Sequence, residues 1–407
     1  MTTYREQDVI VVGAGAAGLS AALVLARAQA SVLVIDAGEP RNAAAQHIQG
    51  YLTRDGMPPD EFVGIGNHEV IRAGGTIVSA RVSRIDRTAD GRFDVTISDG
   101  STMTAKALII ATGLTDEIPE IPGARERWGT LVHHCPYCHG YEVRGTSIGV
   151  IGGFARDLSL KQVGLLRRYS DSVQFITNGI EIGPLERSRL EATGATVIEG
   201  TVSALAGEPG ALDGIVLDNG ATIACDAVFI APRVRPNDEL LRTLGCDVDP
   251  ETGHIRVDPA GHTSVPGVWA AGNVVTPNAQ VISAAGAGSA TAIAVNGWIV
   301  NAAIEALTAT AHNHSTAHNQ SNGRIMPTIP SQHSPAAPPS IHARAVITWL
   351  AIFPLVTLGF FVIAPFAADW NPVLRAFVLS IAVVPIAVYL VVPQLMRVYG
   401  KLRSVQR

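Results

Sequence analysis

The chain has 407 residues, of which 47% are hydrophobic and 40 are glycine, so it has room for two or three domains with sizeable cores. Its formal net charge of -5 provides no basic field, which argues against nucleic acid as a partner. Four cysteines do not make the disulfide scaffold of a small secreted protein. The N-terminus is polar, and the apolar stretch after it contains Gly15, Gly18 and Arg27, so we expect no secretory signal and a cytoplasmic globular part.

The N-terminal residues have the pattern of a dinucleotide-binding unit. A β-branched run at residues 8–12 leads into Gly13, Gly15 and Gly18, then a helical stretch to about Ala28, and a second strand that ends on Asp36. The glycines let the backbone approach a pyrophosphate, the helix N-terminus stabilises its charge, and the carboxylate can accept a ribose hydroxyl. This order of strand, turn, helix, strand and acid predicts a dinucleotide site.

Residues 38–59 are rich in loop formers, and polar side chains there, such as Arg41 and His47, are each typical of a solvated surface. From residue 76 to 104, short alternating segments with turn signals at Asp90-Gly91 and Asp99-Gly100 predict a small β-meander. Residues 107–113 then predict a buried parallel strand that ends in a small-residue turn.

Pro119 and Pro122 mark a predicted crossing into a second domain, which carries a CxxC motif near its start. Cys135 and Cys138 have the spacing of a dithiol that opens and closes as a disulfide. A structural cysteine pair or a zinc site is the alternative, because histidines flank the motif at positions 133, 134 and 139. A closed zinc site needs four well-spread ligands, and the remaining thiols lie far away in the sequence, so we favour redox chemistry and expect no metal.

A second strand-turn-helix unit follows the CxxC motif. Its strand at residues 147–151 leads into Gly152, Gly153 and a predicted helix from about residue 158 to 168. Phe154 stands where a GxG pattern needs its second glycine, and no arginine cluster follows the next strand. The sequence leaves two interpretations equally open, a working nicotinamide site and a Rossmann-like domain that has lost or altered it.

The first domain is predicted to resume near Gly245. A strand over residues 267–273 ends on Asn273, and a helix of small residues is expected from about Gln280 to Trp298. The N-terminus of such a helix, if aimed at a flavin ring, would favour its anionic reduced form.

The C-terminal residues change character. Residues 308–343 contain five histidines among Asn, Ser, Thr and Pro, and we expect a disordered polar tether there because nothing apolar is available to pack. Residues 345–368 and 376–396 carry no charge, and each run is long enough to span a bilayer. The outer ends of the two runs carry more basic residues than the turn between the runs. Both ends are therefore predicted to be cytoplasmic in a multi-pass cytoplasmic-membrane protein.

Residues 5 to about 305 resemble the low-molecular-weight thioredoxin reductase family of flavoproteins. The motifs that carry the resemblance are Gly13-x-Gly15-x-x-Gly18, Ala111-Thr112-Gly113, Cys135-Pro136-Tyr137-Cys138 and Ala270-Ala271-Gly272-Asn273. The sequence CPYCHGYE from Cys135 is similar to a branch that includes dithiol oxidases of natural-product pathways. Residues 345–396 are similar to small two-helix membrane modules of bacterial enzymes.

The resemblance implies an α/β fold with two Rossmann-like (FAD/NAD(P)-binding) domains, the FAD domain being discontinuous, and a C-terminal transmembrane helical hairpin. The expected segments are the two FAD-domain parts at 1–116 and 244–307, the NAD(P)-binding-like domain with CxxC at 117–243, a disordered linker at 308–343, two transmembrane helices at 344–396 and a basic cytoplasmic tail at 397–407.

The resemblance also implies roles for individual residues. Cys138 would face the flavin, Cys135 would exchange with the substrate, and His139 would be an acid/base titrating near neutral pH. The expected FAD-binding residues are Gly13, Gly15, Ala16, Gly18, Asp36, Arg41, Val82, Ala111, Gly113, Gly272, Asn273, Gln280 and Val281, with Gly152 and Gly153 expected at NAD(P).

The predicted function is FAD-dependent transfer of electrons between NADPH or NADH, the cysteine pair and a thioredoxin-like protein or small disulfide, with a homodimer as the family's usual assembly. The reverse direction, a dithiol oxidase that uses oxygen or quinone, is an alternative. Two others are a membrane-tethered NAD(P)H:quinone oxidoreductase in which CxxC is incidental, and a flavin redox sensor.

Overall fold

The computed structural model describes residues 6–320, together with residues 349, 352–357, 371, 381, 383, 386–392, 394 and 395. Two compact units make up the chain, Met1–Asn319 and Gln320–Arg407. Most of the predicted transmembrane runs, most of the linker and the whole basic tail lie outside the described residues. Within the two runs, the described backbone is helical at 352–357 and 386–392.

Residues 7–110 contain the first nucleotide-binding unit that the sequence predicts. The elements are β1 (Gln7–Val12), α1 (Ala16–Arg27), β2 (Val32–Asp36), α2 (Pro59–Arg72), β3 (Thr76–Ser79), β4 (Val82–Arg87), β5 (Phe93–Ile97) and β6 (Thr102–Ile110). The last four residues of β1 and the first four of β2 are fully buried, as expected of parallel strands that are covered on both faces.

The chain then crosses to a second group of elements and returns. These elements are β7 (Leu114–Glu117), β8 (Val132–His133), α3 (Pro136–His139), β9 (Ile148–Ile151), α4 (Arg156–Leu166), β10 (Val173–Ile176), α5 (Pro184–Ala192), β11 (Thr196–Ile198), β12 (Val202–Ala206), β13 (Gly214–Leu217), β14 (Thr222–Ile223), β15 (Ala227–Ile230), β16 (Arg233–Pro236), α6 (Glu239–Thr243), β17 (Val268–Ala270) and α7 (Val281–Gln320). The two crossing strands, β7 and β16, pair antiparallel, so the outward and return connections run side by side.

Two sheets carry the Rossmann-like topology. The first has the order β3-β2-β1-β6-β5-β4, and β17 adds parallel to the second half of β6. The second has the order β11-β10-β9-β15-β8 and is parallel throughout. Buried apolar clusters pack around both sheets. These sheets confirm the predicted mixed α/β class, whereas the six segment boundaries stay a prediction.

The predicted meander over residues 76–104 was partly wrong. Only β4, β5 and β6 form antiparallel neighbours, whereas β3 pairs parallel with β2. The reason is α2, a helix that the sequence interpretation missed, because a strand reached through a helical crossover joins its predecessor in parallel.

The predicted end of the last helix was also wrong. Helix α7 was expected to end near Trp298, yet it continues to Gln320. Residues 299–320 are rich in alanine and contain neither Gly nor Pro, so no helix breaker occurs before Gly323. Among the described residues, one helical segment, Val281–Thr308, is long enough and apolar enough to cross a membrane, by length and composition alone.

Candidate functional site

A large cleft of about 1370 Å³ collects most of the predicted site residues. Its lining includes Cys135, Cys138, His139 and the predicted cofactor residues Gly13, Gly15, Ala16, Asp36, Arg41, Val82, Ala111, Gly113, Gly272, Asn273, Gln280 and Val281. Gly18, Gly152 and Gly153 do not line it. Residues from five separate parts of the sequence therefore meet on one cavity.

The glycines of the turn between β1 and α1 have different tasks. Gly13 has φ +103°, and a Cβ there would lie 2.5 Å from the Ala111 carbonyl oxygen. A Cβ on Gly18 would lie 1.9 Å from the Gly13 carbonyl oxygen, so Gly18 is required for packing. Gly15 has open space where its Cβ would be and is the N-cap residue of α1. This open position fits the close approach of an FAD pyrophosphate.

Asp36 ends β2 beside this turn. Its Oδ1 accepts a hydrogen bond from the Ala14 N–H at 2.7 Å, and its Oδ2 accepts one from the Gly38 N–H at 3.0 Å. Each carboxylate oxygen keeps a further lone pair, so the side chain can still accept a ribose hydroxyl.

Arg41 and Asn273, both predicted to contact the cofactor, contact each other. The Arg41 guanidinium pairs through two 2.8 Å hydrogen bonds with Asp116 and donates a long one of 3.4 Å to the Asn273 Oδ1. The Asn273 amide also donates to the carbonyl oxygens of Thr276, Pro277 and Ala279. In this structure the two side chains brace the loop that leads into α7.

The CxxC pair is a closed disulfide with the two Cα atoms 5.3 Å apart. Cys135 caps the N-terminus of the short helix α3, and its carbonyl oxygen accepts hydrogen bonds from the N–H groups of Cys138 and His139. Pro136 occupies the first helical position, where a missing N–H costs nothing.

Three histidines surround the disulfide, and two of them are stacked. The ring of His139 lies 4.3 Å from that of His133, with an angle of 17° between the planes. His133 ends β8 and packs against Phe229 of the neighbouring strand β15. On the other side, His134 stacks on Trp128.

Burial changes the protonation of all three imidazoles. It lowers the pKa of His133 to about 3, with smaller contributions from His139 and His134, and it lowers the pKa of His134 to about 4. Burial also lowers the pKa of His139. The cause is the cleft wall, which removes water that would stabilise the imidazolium of His139, whereas its expected role as an acid/base stays a prediction.

The turn after β9, where Gly152 and Gly153 were predicted to bind NAD(P), uses its glycines for packing. A Cβ on Gly152 would lie 2.2 Å from the Thr177 carbonyl oxygen, and one on Gly153 would lie 2.5 Å from that of Ala231. The Gly153 N–H already donates to the Ser159 Oγ at 3.1 Å. Phe154 follows, 57% exposed, with the Arg233 guanidinium 4.5 Å above its ring.

The second residue after β10 is also engaged within the protein. Asn178 donates from Nδ2 to the Gly152 carbonyl oxygen and accepts at Oδ1 from the Val202 N–H. A nucleotide ribose is commonly recognised after the second strand of such a unit. The second turn therefore fits a dinucleotide less well than the first.

The two remaining thiols differ from the CxxC pair. Cys225 and Cys246 are buried, and burial raises the pKa of Cys225 to about 12 and raises that of Cys246. Such thiols are poor nucleophiles. Within the described part of the chain, no group of three or more His, Cys, Asp or Glu side chains is arranged to hold a metal ion.

Sequence interpretation missed several residues of the cleft. Asp116 holds Arg41, Trp128 holds the ring of His134, and the Gln162 side chain donates to the His134 carbonyl oxygen at 2.6 Å. All three lie outside the recognised motifs and reach the site through tertiary contacts, so only a structure reveals them.

The arrangement joins two kinds of chemistry on one cavity. The first turn offers an open glycine, a helix N-terminus and a carboxylate, which suit the ADP part of FAD. When bound, FAD supplies two-electron chemistry that a disulfide can share. The cysteine pair opens to two thiols, of which the thiolate form attacks a partner disulfide. A dinucleotide site and a redox disulfide on one cleft are the parts of a flavin-dependent disulfide oxidoreductase.

Comparison with known proteins agrees with this class of enzyme. The chain belongs to the pyridine nucleotide-disulphide oxidoreductase family, whose model matches residues 7–289. A second family model, described as the Y2318 C-terminal domain, matches residues 338–401.

Among individual relatives, the thioredoxin reductase tcpT of Claviceps purpurea is 31% identical over 292 residues, covering 67% of this chain and 88% of the relative. The thioredoxin reductase of Treponema pallidum is 32% identical over 308 residues, covering 72% of this chain and 97% of that relative. The crystal structure of HlmI is 43% identical with a TM-score of 0.74, covering 77% of this chain and 99% of that chain.

These findings confirm the predicted enzyme class. The protein is an FAD-dependent thiol-disulfide oxidoreductase of the thioredoxin reductase type. The cofactors of that family are FAD and NAD(P)H, as the sequence resemblance implied.

The first prediction concerns Gly15. Gly15→Ala should fold normally, because its Cβ meets open space, and should lower the affinity for FAD by at least about tenfold, because the methyl group holds the pyrophosphate away from the backbone. FAD titration of the apoprotein, followed by flavin fluorescence, measures this. Gly286→Ala, also open but on α7 away from the cleft, is the control and should bind FAD like the wild type. Equal affinities in the two variants would contradict the role of Gly15.

Proposed function

We propose that the protein is a membrane-anchored FAD-dependent oxidoreductase that exchanges electrons between NAD(P)H and the disulfide of a thioredoxin-like protein. The observation that carries the proposal is the position of the Cys135–Cys138 disulfide on the same cleft as the FAD-binding turn. The thioredoxin reductases among its relatives support a thioredoxin-like partner.

A second candidate reverses the electron flow. A dithiol substrate would reduce the cysteine pair, and the flavin would pass the electrons to oxygen or quinone. The turn after β9 favours this candidate, because Gly152 and Gly153 are committed to packing and Phe154 occupies the position of the missing glycine. A substrate that delivers electrons through Cys135 and Cys138 needs no nicotinamide site.

The two candidates predict different reductants of the flavin. In anaerobic cuvettes, NADH or NADPH should bleach the oxidised flavin band if the reductase direction is correct, whereas only a dithiol should bleach it in the oxidase direction.

Cys135→Ser should retain FAD and lose turnover of disulfides or dithiols, because the exchanging thiol is gone. The control Cys225→Ser should retain turnover. Full turnover by Cys135→Ser would refute both candidates.

A membrane anchor is the second part of the proposal. Its support is the absence of charge from residues 345–368 and 376–396, the helical backbone at 352–357 and 386–392, and a separate family match over residues 338–401. Spans of this length are those of bilayer-crossing helices. Both chain ends would then face the cytoplasm with the flavoprotein unit.

Fractionation of lysates tests the anchor. The full chain should sediment with membranes, resist an alkaline carbonate wash and be released by detergent, because two buried apolar spans hold it. A chain truncated after Gln320 should remain in the supernatant. Recovery of the full chain from the supernatant without detergent would contradict the proposal.

The third part is a homodimer through α7. One face of this helix packs on the first nucleotide-binding unit, and the opposite face is exposed. The exposed face carries an uncharged stripe with alternating spacings of four and three residues, at Gly286, Ala290, Ile293, Gly297, Val300, Ile304 and Leu307. This heptad-like spacing is typical of helices that pair, and its small residues allow close approach. We infer that the stripe meets the same stripe of a second copy.

Ile293, which is 64% exposed, is the test position. Ile293→Glu should convert a dimer into a monomer, because it places a charge at the centre of the apolar seam, and multi-angle light scattering in detergent measures the change. Ala302→Glu is the matched control, since residue 302 is exposed on α7 away from the stripe. A monomeric wild type, or a dimeric Ile293→Glu variant, would refute the seam.

A further inference from the structure

Unpartnered polar atoms are concentrated around the disulfide. In the described part of the chain, six buried side-chain nitrogen or oxygen atoms have no hydrogen-bond partner. Three of the six belong to residues around the cysteine pair, namely His133 Nδ1, His139 Nδ1 and Gln162 Oε1. An unpartnered buried polar atom is costly and native proteins keep few of them, so a cluster at a reactive site requires an explanation.

Gln162 is the best defined of the three. It lies on α4, its side chain is 0% exposed, and it lines the cleft together with both cysteines. Its Nε2 donates to the carbonyl oxygen of His134, the residue before Cys135, at 2.6 Å. Since a carbonyl oxygen can only accept, this bond fixes the orientation of the amide and leaves Oε1 as a free acceptor.

Reduction of the disulfide supplies the donor that Oε1 lacks. A dithiol substrate transfers two electrons and two protons to the pair, so the S–S bond breaks, two S–H groups form, and the substrate closes its own disulfide. In the opposite direction, a bound reduced flavin would supply the same two electrons, and solvent would supply the two protons. A disulfide sulfur has no hydrogen to donate, whereas a thiol does.

We propose that Gln162 is a positioning residue that stabilises the reduced form of the redox pair, because its Oε1 gains a cysteine S–H as hydrogen-bond donor only after the disulfide opens. The proposal rests on the assignment of Cys135 and Cys138 as the redox pair. It makes the Gln162 side chain a determinant of the equilibrium between disulfide and dithiol, in addition to holding the backbone before Cys135.

The test is a redox titration of the full-length holoenzyme in detergent. After anaerobic equilibration in dithiothreitol buffers, acid quenching and alkylation in denaturant, the protein carries four tagged thiols when the pair is reduced and two when it is closed, because Cys225 and Cys246 are free in both states. Gln162→Met should lower the equilibrium constant for reduction by about fivefold, the value of one ordinary hydrogen bond.

Gln174→Met is the matched control. Gln174 also has a buried, unpartnered Oε1, but it lies on β10 and donates toward Ser147 and Ala224. Its substitution should leave the equilibrium constant unchanged. A purely structural role of Gln162 acts alike in both redox states and would alter the unfolding midpoint without moving the redox equilibrium. Equal constants for Gln162→Met and the wild type would overturn the proposal.

A second measurement uses only the wild-type protein, so it does not depend on the folding of a variant. The infrared difference spectrum of the reduced minus the oxidised wild type isolates the new S–H stretching bands. One of them should be shifted to lower frequency by the Gln162 acceptor, and two unshifted bands would overturn the proposal. A pair that cannot be reduced at all in the titration would instead refute the redox assignment on which the proposal rests.

Discussion

The cleft depends on two backbone contacts that hold helix α1. A Cβ on Gly18 would lie 1.9 Å from the Gly13 carbonyl oxygen, and a Cβ on Gly288 of α7 would lie 1.9 Å from the Ala17 carbonyl oxygen. The helix therefore packs against the turn before it and against α7 at distances that only glycine permits. Because α7 begins at Val281, the second contact brings residues 280 and 281 to the same cavity as the first turn. Two parts of the sequence about 270 residues apart thereby form one cofactor cleft.

The second sheet repeats the topology of the first without repeating its site. Both units have a strand followed by a glycine turn and a helix, but Gly15 is open to solvent whereas Gly152 and Gly153 face carbonyl oxygens of neighbouring strand ends. Asp36 keeps free lone pairs at the first site, whereas both polar atoms of the Asn178 amide are engaged with the backbone at the second. Ligand chemistry thus follows from the atoms that are left available, and a shared fold does not decide it.

Sequence patterns predicted the local features of the site and failed at the tertiary ones. The order of strands, the glycine turn and the CxxC motif are contiguous, so their chemistry is legible without a structure. Helix α2 was missed because it follows a loop-rich stretch, and α7 was expected to end near Trp298 although it continues to Gln320. The lowering of the His139 pKa arises from burial in the cleft wall, and the role proposed for Gln162 arises from a contact with a residue 28 positions away in the sequence. No sequence window contains such information.

The environment of the disulfide bears on the direction of electron flow. Burial lowers the pKa of all three flanking histidines, which disfavours an imidazolium beside the cysteines that would stabilise a thiolate. A buried amide acceptor such as the Gln162 Oε1 favours a protonated thiol instead, and stabilising the dithiol raises the reduction potential of the pair. A pair with a raised potential accepts electrons from a substrate dithiol more readily and returns them to a substrate disulfide less readily. This polar shell is therefore the feature that suits the second candidate, in which electrons would enter through Cys135 and Cys138 and leave through the flavin.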